Sequence, residues 1–330
     1  MEGILEIVQF LQSPKDVVIF SHRNPDGDAM GSSLALKLFL ENTGHTVSVI
    51  YPSEYPATLC FLPKSDDAII FDFETEKSIE KIKNAKLMFF LDFSGLDRID
   101  KMGEFVVDHP AMKIHIDHHL DPEPFADFVL SDSTASSTSE LVFRFFELLG
   151  VHNRLNHEIA TCLLTGIITD TGSFKYNVTS TTFKIAGELM KYEPDLNDLQ
   201  DKIYNRQSEK YIRLLGHCLA NRMEIIPEYK TGIIKLTKED YKTYDIQRGD
   251  TEGIVNYLMM INSVEVAALI TEQPTIIKLS LRSKADISVQ KIARDHFKGG
   301  GHKNASGGAA YGNLEAVIKK FKSILPNYIK

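Results

Sequence analysis

Residues 16–30 read DVVIFSHRNPDGDAM. The apolar run ending at Phe20 passes directly into Ser21-His22-Arg23-Asn24-Pro25-Asp26-Gly27-Asp28. A short apolar run closed by polar, turn-forming residues predicts a buried strand and then a sharp turn. A helix is expected from Asp28 to Asn42, with Asp28 as its N-cap and Gly44 just past its end. HTVSVI (45–50) follows as the next strand. Strand, helix and strand in this order make the βαβ unit of a parallel sheet.

The pattern continues outward. AIIF (68–71), LMFFL (87–91) and MKIHI (112–116) read as strands, with the helical stretch EKSIEKIKNA between the first two. From 136 the text turns helical: Ser137 and Glu140 stand at capping-box spacing, and IATCLLTGII (159–168) reads as a buried helix. A polar stretch over 191–212 reads as a linker, partly helical. Beyond it TGIIKL (231–236), VEVAALI (264–270) and TIIKLSL (275–281) read as strands, ISVQKIARDHF (287–297) and the last 17 residues as helices. The expected fold class is α/β: an N-terminal, mostly parallel sheet flanked by helices (1–190), the linker, and a smaller C-terminal α+β domain (213–330), with the active site in the cleft between them.

Composition narrows the function classes. The 330 residues carry 37 basic and 45 acidic side chains, a net charge of −8, and 43% are hydrophobic. That supports a sizeable core and argues against disorder. The acidic balance disfavours coating long duplex DNA, which needs many phosphate contacts. No apolar run is long enough to span a membrane, and MEGILEIVQFLQ lacks the basic start of a signal peptide. Cys60, Cys162 and Cys218 form neither a disulfide framework nor a zinc pattern, so a reducing, cytoplasmic home is expected. From Lys278 to Lys303 seven basic residues face two acids, a net of +5 that leaves −13 for the remainder. A basic strip in an acidic protein suggests local recognition of an anion, although a solvated helix face has the same composition.

Three apolar strands end in acids or histidines: the first in His22 to Asp28, LMFFL in Asp92, and MKIHI in Asp117-His118-His119. The helical run ending at Ile168 delivers Asp170 in the same way. Ligand sites of open parallel sheets lie outside the carboxyl ends of the strands. Each piece alone also suits a turn or a cap; their ordered recurrence points to one crevice. Gathered carboxylates repel unless their pKa values rise or a cation sits among them. Asp26, Asp28, Asp92 and Asp170 with histidine, and without thiolate, suit Mn²⁺ or Mg²⁺, and four acids suit two ions better than one. In the C-terminal domain, Gly299-Gly300-Gly301-His302-Lys303-Asn304 is expected to be a loop whose backbone N–H groups approach an anion, or else a flexible hairpin or a helix-to-strand loop.

These motifs resemble the DHH phosphoesterase superfamily. His22-Arg23-Asn24-Pro25-Asp26-Gly27-Asp28-Ala29 resembles its first motif, Asp92 its second, Asp117-His118-His119 the naming motif, and Asp170-Thr171-Gly172-Ser173-Phe174 the fourth. The Gly300-Gly301-His302 region resembles the signature of the DHH-associated C-terminal domain, so the resemblance spans residues 22–308. Among its branches the chain is most similar to the NrnA-like proteins, which act on oligoribonucleotides and on 3′-phosphoadenosine 5′-phosphate (pAp).

The resemblance implies two Mn²⁺ (or Mg²⁺) ions. His22, Asp26 and Asp92 would hold one; Asp28, Asp92, His118 and Asp170 would hold the other, with Asp92 shared. It implies that His119 faces the substrate as a general acid or as a transition-state stabiliser, that Asp117 orients its histidine neighbours, and that Arg282, Ser283, Gly300, Gly301 and His302 contact substrate. The implied substrates are short single-stranded RNA and nucleotides, with no membrane partner; a homodimer stays open. The competing readings are a soluble cyclic di-AMP or pApA phosphodiesterase, a RecJ-like single-strand exonuclease, a class II pyrophosphatase, and a non-catalytic nucleotide sensor or RNA-binding module.

Overall fold

The computed structural model describes residues 3–247 and 249–329. They fall into two compact units, Met1–Arg206 and Gln207–Lys330.

The first unit is built on six parallel strands: β1 (Asp16–Phe20), β2 (Thr46–Tyr51), β3 (Ile69–Ile70), β4 (Leu87–Leu91), β5 (Met112–Asp117) and β6 (Phe128–Ser131). Their order is β3-β2-β1-β4-β5-β6, so the chain builds outward on one side of β1 and then on the other. Side chains alternate between two cores. Val17, Ile19, Phe89 and Leu91 pack with the helices Gly27–Asn42, Thr138–Leu148 and His157–Asp170. Val18, Phe20, Met88 and Phe90 join Ile82, Ile99 and Met102 on the opposite face. Helices cover both faces, which is why these strands read as unbroken apolar runs rather than as alternating ones. The Gly27–Asn42 helix is buried along most of its length, from Gly27 to Leu40.

The second unit holds a mixed sheet: β7 (Met223–Ile226), β8 (Thr231–Leu236), β9 (Val266–Glu272), β10 (Ile277–Ser283), β11 (Gly300–His302) and β12 (Ala305–Ala310), ordered β11-β12-β10-β9-β8-β7. Only the β8–β9 pair is parallel. The helices Val289–His296 and Leu314–Ile324 bury one face, and Glu209–Asn221 with Ile254–Leu258 the other.

One expectation is corrected. The first helix is capped by Asp26, not Asp28: Asp26 Oδ1 accepts from the backbone N–H of Asp28 and Ala29 at 3.0 and 3.1 Å. Asp28 instead lies inside the first turn. The glycine run takes one of its expected forms, an antiparallel hairpin in which Gly300 pairs with Gly307 and His302 with Ala305. Glycine is needed there because a Cβ on Gly299 would lie 2.0 Å from the Gly307 carbonyl oxygen. Strands β6, β7 and β12 carry no apolar run that the sequence reading recognised. Among the described residues no helix is long and apolar enough to cross a membrane.

Candidate metal centre

The parallel pairing of β1 with β4 runs to Phe20 and Phe90. One step further the Ser21 hydroxyl donates to the Leu91 carbonyl at 2.8 Å. The next step sets His22 and Asp92 level with each other, just outside the carboxyl ends of adjacent strands. Strand order reverses between β1 and β4, where the crevice of a doubly wound sheet opens. The β5 end adds Asp117, His118 and His119, and the His157–Asp170 helix ends on Asp170.

Donor atoms of His22, Asp26 and Asp92 lie within 4.8 Å of one another, as do those of Asp28, Asp92 and His118. Asp92 belongs to both groups and turns one oxygen to each. Its Oδ2 is 3.5 Å from His22 Nε2, and its Oδ1 is 3.5 Å from His118 Nε2. Asp170 Oδ2 lies 3.5 Å from the same His118 nitrogen. Asp92 adopts a left-handed backbone, φ 68°, which aspartate tolerates better than most residues.

Backbone carbonyls orient two of the rings. His22 Nδ1 contacts the Arg23 carbonyl at 3.0 Å, and His118 Nδ1 contacts the Ala135 carbonyl at 3.3 Å. A carbonyl only accepts, so each Nδ1 carries hydrogen and each Nε2 is the ring nitrogen turned toward the carboxylates. His119 is fixed differently: its Nδ1 donates to Asp117 Oδ1 at 2.7 Å.

Asp28 reaches across to a second helix. Its carboxylate accepts from the backbone N–H of Thr138 at 2.6 Å and of Ser139 at 2.9 Å, at the N-terminus of the Thr138–Leu148 helix. The Thr138 hydroxyl donates to Asp92 Oδ1 at 2.9 Å. A Cβ on Gly166 would lie 1.9 Å from Ser139 Oγ and 2.7 Å from Asp28 Oδ1, so glycine there lets the two helices close around Asp28. Thr138 and Ser139 escaped the sequence reading, although the Ser136-Ser137-Thr138-Ser139 run was the available signal. His115 escaped it too. It is fully buried; its Nε2 donates to the Phe93 carbonyl at 2.7 Å and stands 4.0 Å from Asp117 Oδ2.

The electrostatics are those of a crowded acid nest. Burial, then repulsion from Asp28, Asp26 and Asp170, drives the Asp92 carboxyl well above the usual range. Burial likewise raises Asp28. Burial lowers His22 against the pull of Asp26, with the Arg98 guanidinium adding to the depression. Burial opposes protonation of His118, but Asp170, Asp28 and Asp117 outweigh it and raise its pKa. Such a set is costly as bare charge and fits hard divalent cations: carboxylate oxygens and imidazole nitrogens converge, without a thiolate.

In the second unit, Arg282 pairs with Ala305 on β12, and Ala305 pairs with His302 on β11. Arg282 Nε donates to Asn256 Oδ1 at 3.1 Å, and Ser283 Oγ to the Ile287 carbonyl at 2.6 Å. Arg282, Ser283, Gly300, Gly301 and His302 therefore gather at one end of that sheet.

Comparison with known proteins agrees with this architecture. Residues 16–167 match the DHH family N-terminal domain, and residues 236–327 match the DHHA1 domain. The bifunctional oligoribonuclease and PAP phosphatase NrnA of Thermus thermophilus is 29% identical over 313 residues, 94% of this chain and 89% of that protein. NrnA of Bacillus subtilis is 26% identical over 315 residues, 94% of each. The crystal structure of an exopolyphosphatase-related protein from Bacteroides fragilis superposes with a TM-score of 0.94 at 40% identity, covering 98% of this chain and 96% of that one. With both domain matches and a near-complete, 40% identical relative, the chain belongs to the DHH phosphoesterase family.

Proposed function

We propose that this protein hydrolyses short single-stranded RNA, a few nucleotides long, to mononucleotides, and removes the 3′-phosphate of pAp. One observation carries the reading: a single buried carboxylate, Asp92, turns its two oxygens toward two separate histidine–aspartate groups. The names of the NrnA relatives supply the substrate class. His22, Asp26 and Asp92 would hold one Mn²⁺, and Asp28, Asp92, His118 and Asp170 the other. Bound divalent cations polarise a phosphoryl group and make water a nucleophile at neutral pH.

The protein's own groups do the rest. Asp117 holds His119 by its Nδ1, so Nε2 is presented as the proton donor for the leaving oxygen. Arg98 has no acidic partner among the described residues, whereas Arg23 is tied to Asp72 and Asp100. Arg98 is thus the cation beside the acid nest that remains available to a phosphate. In the second unit, Arg282, Ser283, Gly300, Gly301 and His302 would hold the substrate's phosphate or base. The activity belongs to the cytoplasm, where short RNA and nucleotides are found.

The test is a substrate panel with Mn²⁺, Mg²⁺ or chelator: di- to pentaribonucleotides, matching DNA, pAp, pApA, cyclic di-AMP and pyrophosphate. Release of mononucleotides from the short RNAs and of phosphate from pAp, both abolished by chelator, is expected. Turnover confined to cyclic di-AMP or to pyrophosphate would overturn the reading.

A further inference from the structure

Just past Asp170 the backbone passes through three consecutive left-handed residues, Gly172, Ser173 and Phe174, at φ 57, 63 and 62°. The turn is held firmly. Ser173 N–H donates to the Ile168 carbonyl at 2.7 Å, Phe174 N–H to Thr171 Oγ1 at 2.8 Å, and Tyr176 N–H to the Thr171 carbonyl at 2.8 Å. Tyr204 donates its hydroxyl to the same Ile168 carbonyl at 2.9 Å. This unusual backbone sets the Phe174 ring against Phe183, with centroids 5.7 Å apart and planes at 17°.

Phe183 is tied to the metal centre from the other side. Its neighbour Thr182 donates its hydroxyl to Glu140 Oε2 at 2.8 Å, and that oxygen also accepts from the Ser136 hydroxyl at 2.7 Å. Two residues before Glu140, Thr138 holds Asp28 and Asp92. The stacked pair is therefore moored at both ends to segments that carry the acid nest. The fold does not bury it: Phe183 is 59% exposed, and Tyr176 nearby is 43% exposed. The Lys175 ammonium lies 5.1 Å over the Tyr176 ring.

We propose that Phe183, backed by Phe174, is the platform on which a base of the substrate stacks while its phosphate lies at the metal centre. The inference rests on the short-RNA reading and deepens it. An aromatic face stacks on any base, so the platform recognises a nucleotide without selecting its sequence. It also explains why an exposed ring is kept parallel to a second ring by a turn in an unfavourable conformation.

The test compares wild type with Phe183→Leu and Phe183→Trp. Both changes are at an exposed position, and leucine keeps the apolar character without the ring face. A ribonucleotide carrying 2-aminopurine, added with Mg²⁺, reads stacking by fluorescence quenching and needs no hydrolysis. Wild type and Phe183→Trp are expected to quench, and Phe183→Leu to lose the quenching. On a diribonucleotide, Phe183→Leu should raise KM by about tenfold with kcat little changed. On the same dinucleotide made abasic, the KM difference between the two proteins should close. Equal quenching and equal KM in wild type and Phe183→Leu, or an equal loss on the abasic substrate, overturns the platform. Quenching without RNA cleavage would instead count against the short-RNA reading and leave the platform standing.

Discussion

The Thr138 hydroxyl donates to Oδ1 of Asp92 at 2.9 Å, although 46 residues separate the two in sequence. Thr138→Val removes that donor but keeps the backbone N–H that holds Asp28 at 2.6 Å. One oxygen of the shared carboxylate then loses its orienting partner. Groups that orient metal ligands typically contribute about 10- to 100-fold in metal affinity or activity. Calorimetric titration with Mn²⁺ should show a weakening in that range, with an unchanged circular dichroism spectrum. An unchanged affinity and rate would assign Thr138 to folding alone.

Asp92 itself separates charge from backbone. Its left-handed φ of 68° suits aspartate and asparagine, whereas alanine loses roughly 1–2 kcal/mol there. Its carboxyl is also driven up by burial and by the acids around it. Asp92→Asn relieves that repulsion, so in chelator it should melt at or above wild type, with Asp92→Ala below both. Added Mn²⁺ should raise the melting temperature of wild type only. Both variants should lose more than about a thousandfold in hydrolysis. Substantial activity in Asp92→Asn would remove the shared-carboxylate arrangement.

The first five strands of the first unit were legible because burial on both faces writes them as unbroken apolar runs, and the acids at their ends marked the crevice; the edge strand β6, FVLS and largely unburied, carries no such run. Register then did what the sequence could not state, bringing His22 level with Asp92. The local choice between Asp26 and Asp28 as helix cap was not legible. Both are acids at a helix start, and Asp28 is drawn away by N–H groups 110 and 111 residues further on. Likewise β12 reads ASGGAA: its glycines admit close backbone approach and leave no side-chain alternation to read. The roles of Thr138 and His115 depend on contacts between elements, and no local pattern reports those.

Gly166 couples the core to the acid nest. A methyl group there would collide with Ser139 Oγ at 1.9 Å and press on Asp28 Oδ1 at 2.7 Å. Gly166→Ala should therefore cost about 1–3 kcal/mol in urea unfolding and also weaken Mn²⁺ binding, because Ser139 and Asp28 must both shift. Gly187→Ala is the control. It lies in the Ser180–Leu189 helix with nothing within 4 Å of its added carbon, and should stabilise by roughly 0.5–1 kcal/mol. Equal behaviour of the two variants would show that the helices can part without disturbing Asp28.

The second unit has its own buried acid. Burial would raise the Asp240 carboxyl, but Arg222, the Thr237 backbone and hydroxyl, and His217 together pull it down to about 2. Arg222 Nη2 donates to it at 2.8 Å, and the Thr237 N–H at 2.9 Å. A carboxyl held below its ordinary value stabilises the fold above that value, and the contribution is lost as pH falls toward the depressed one. The shift corresponds to about 2 kcal/mol at neutral pH. Asp240→Asn has no such titration, so its deficit in urea unfolding of the full chain should be large at pH 6. It should shrink steadily from pH 4 to pH 2. A deficit that stays constant over that interval would mean that packing, and not the charge on Asp240, accounts for its effect.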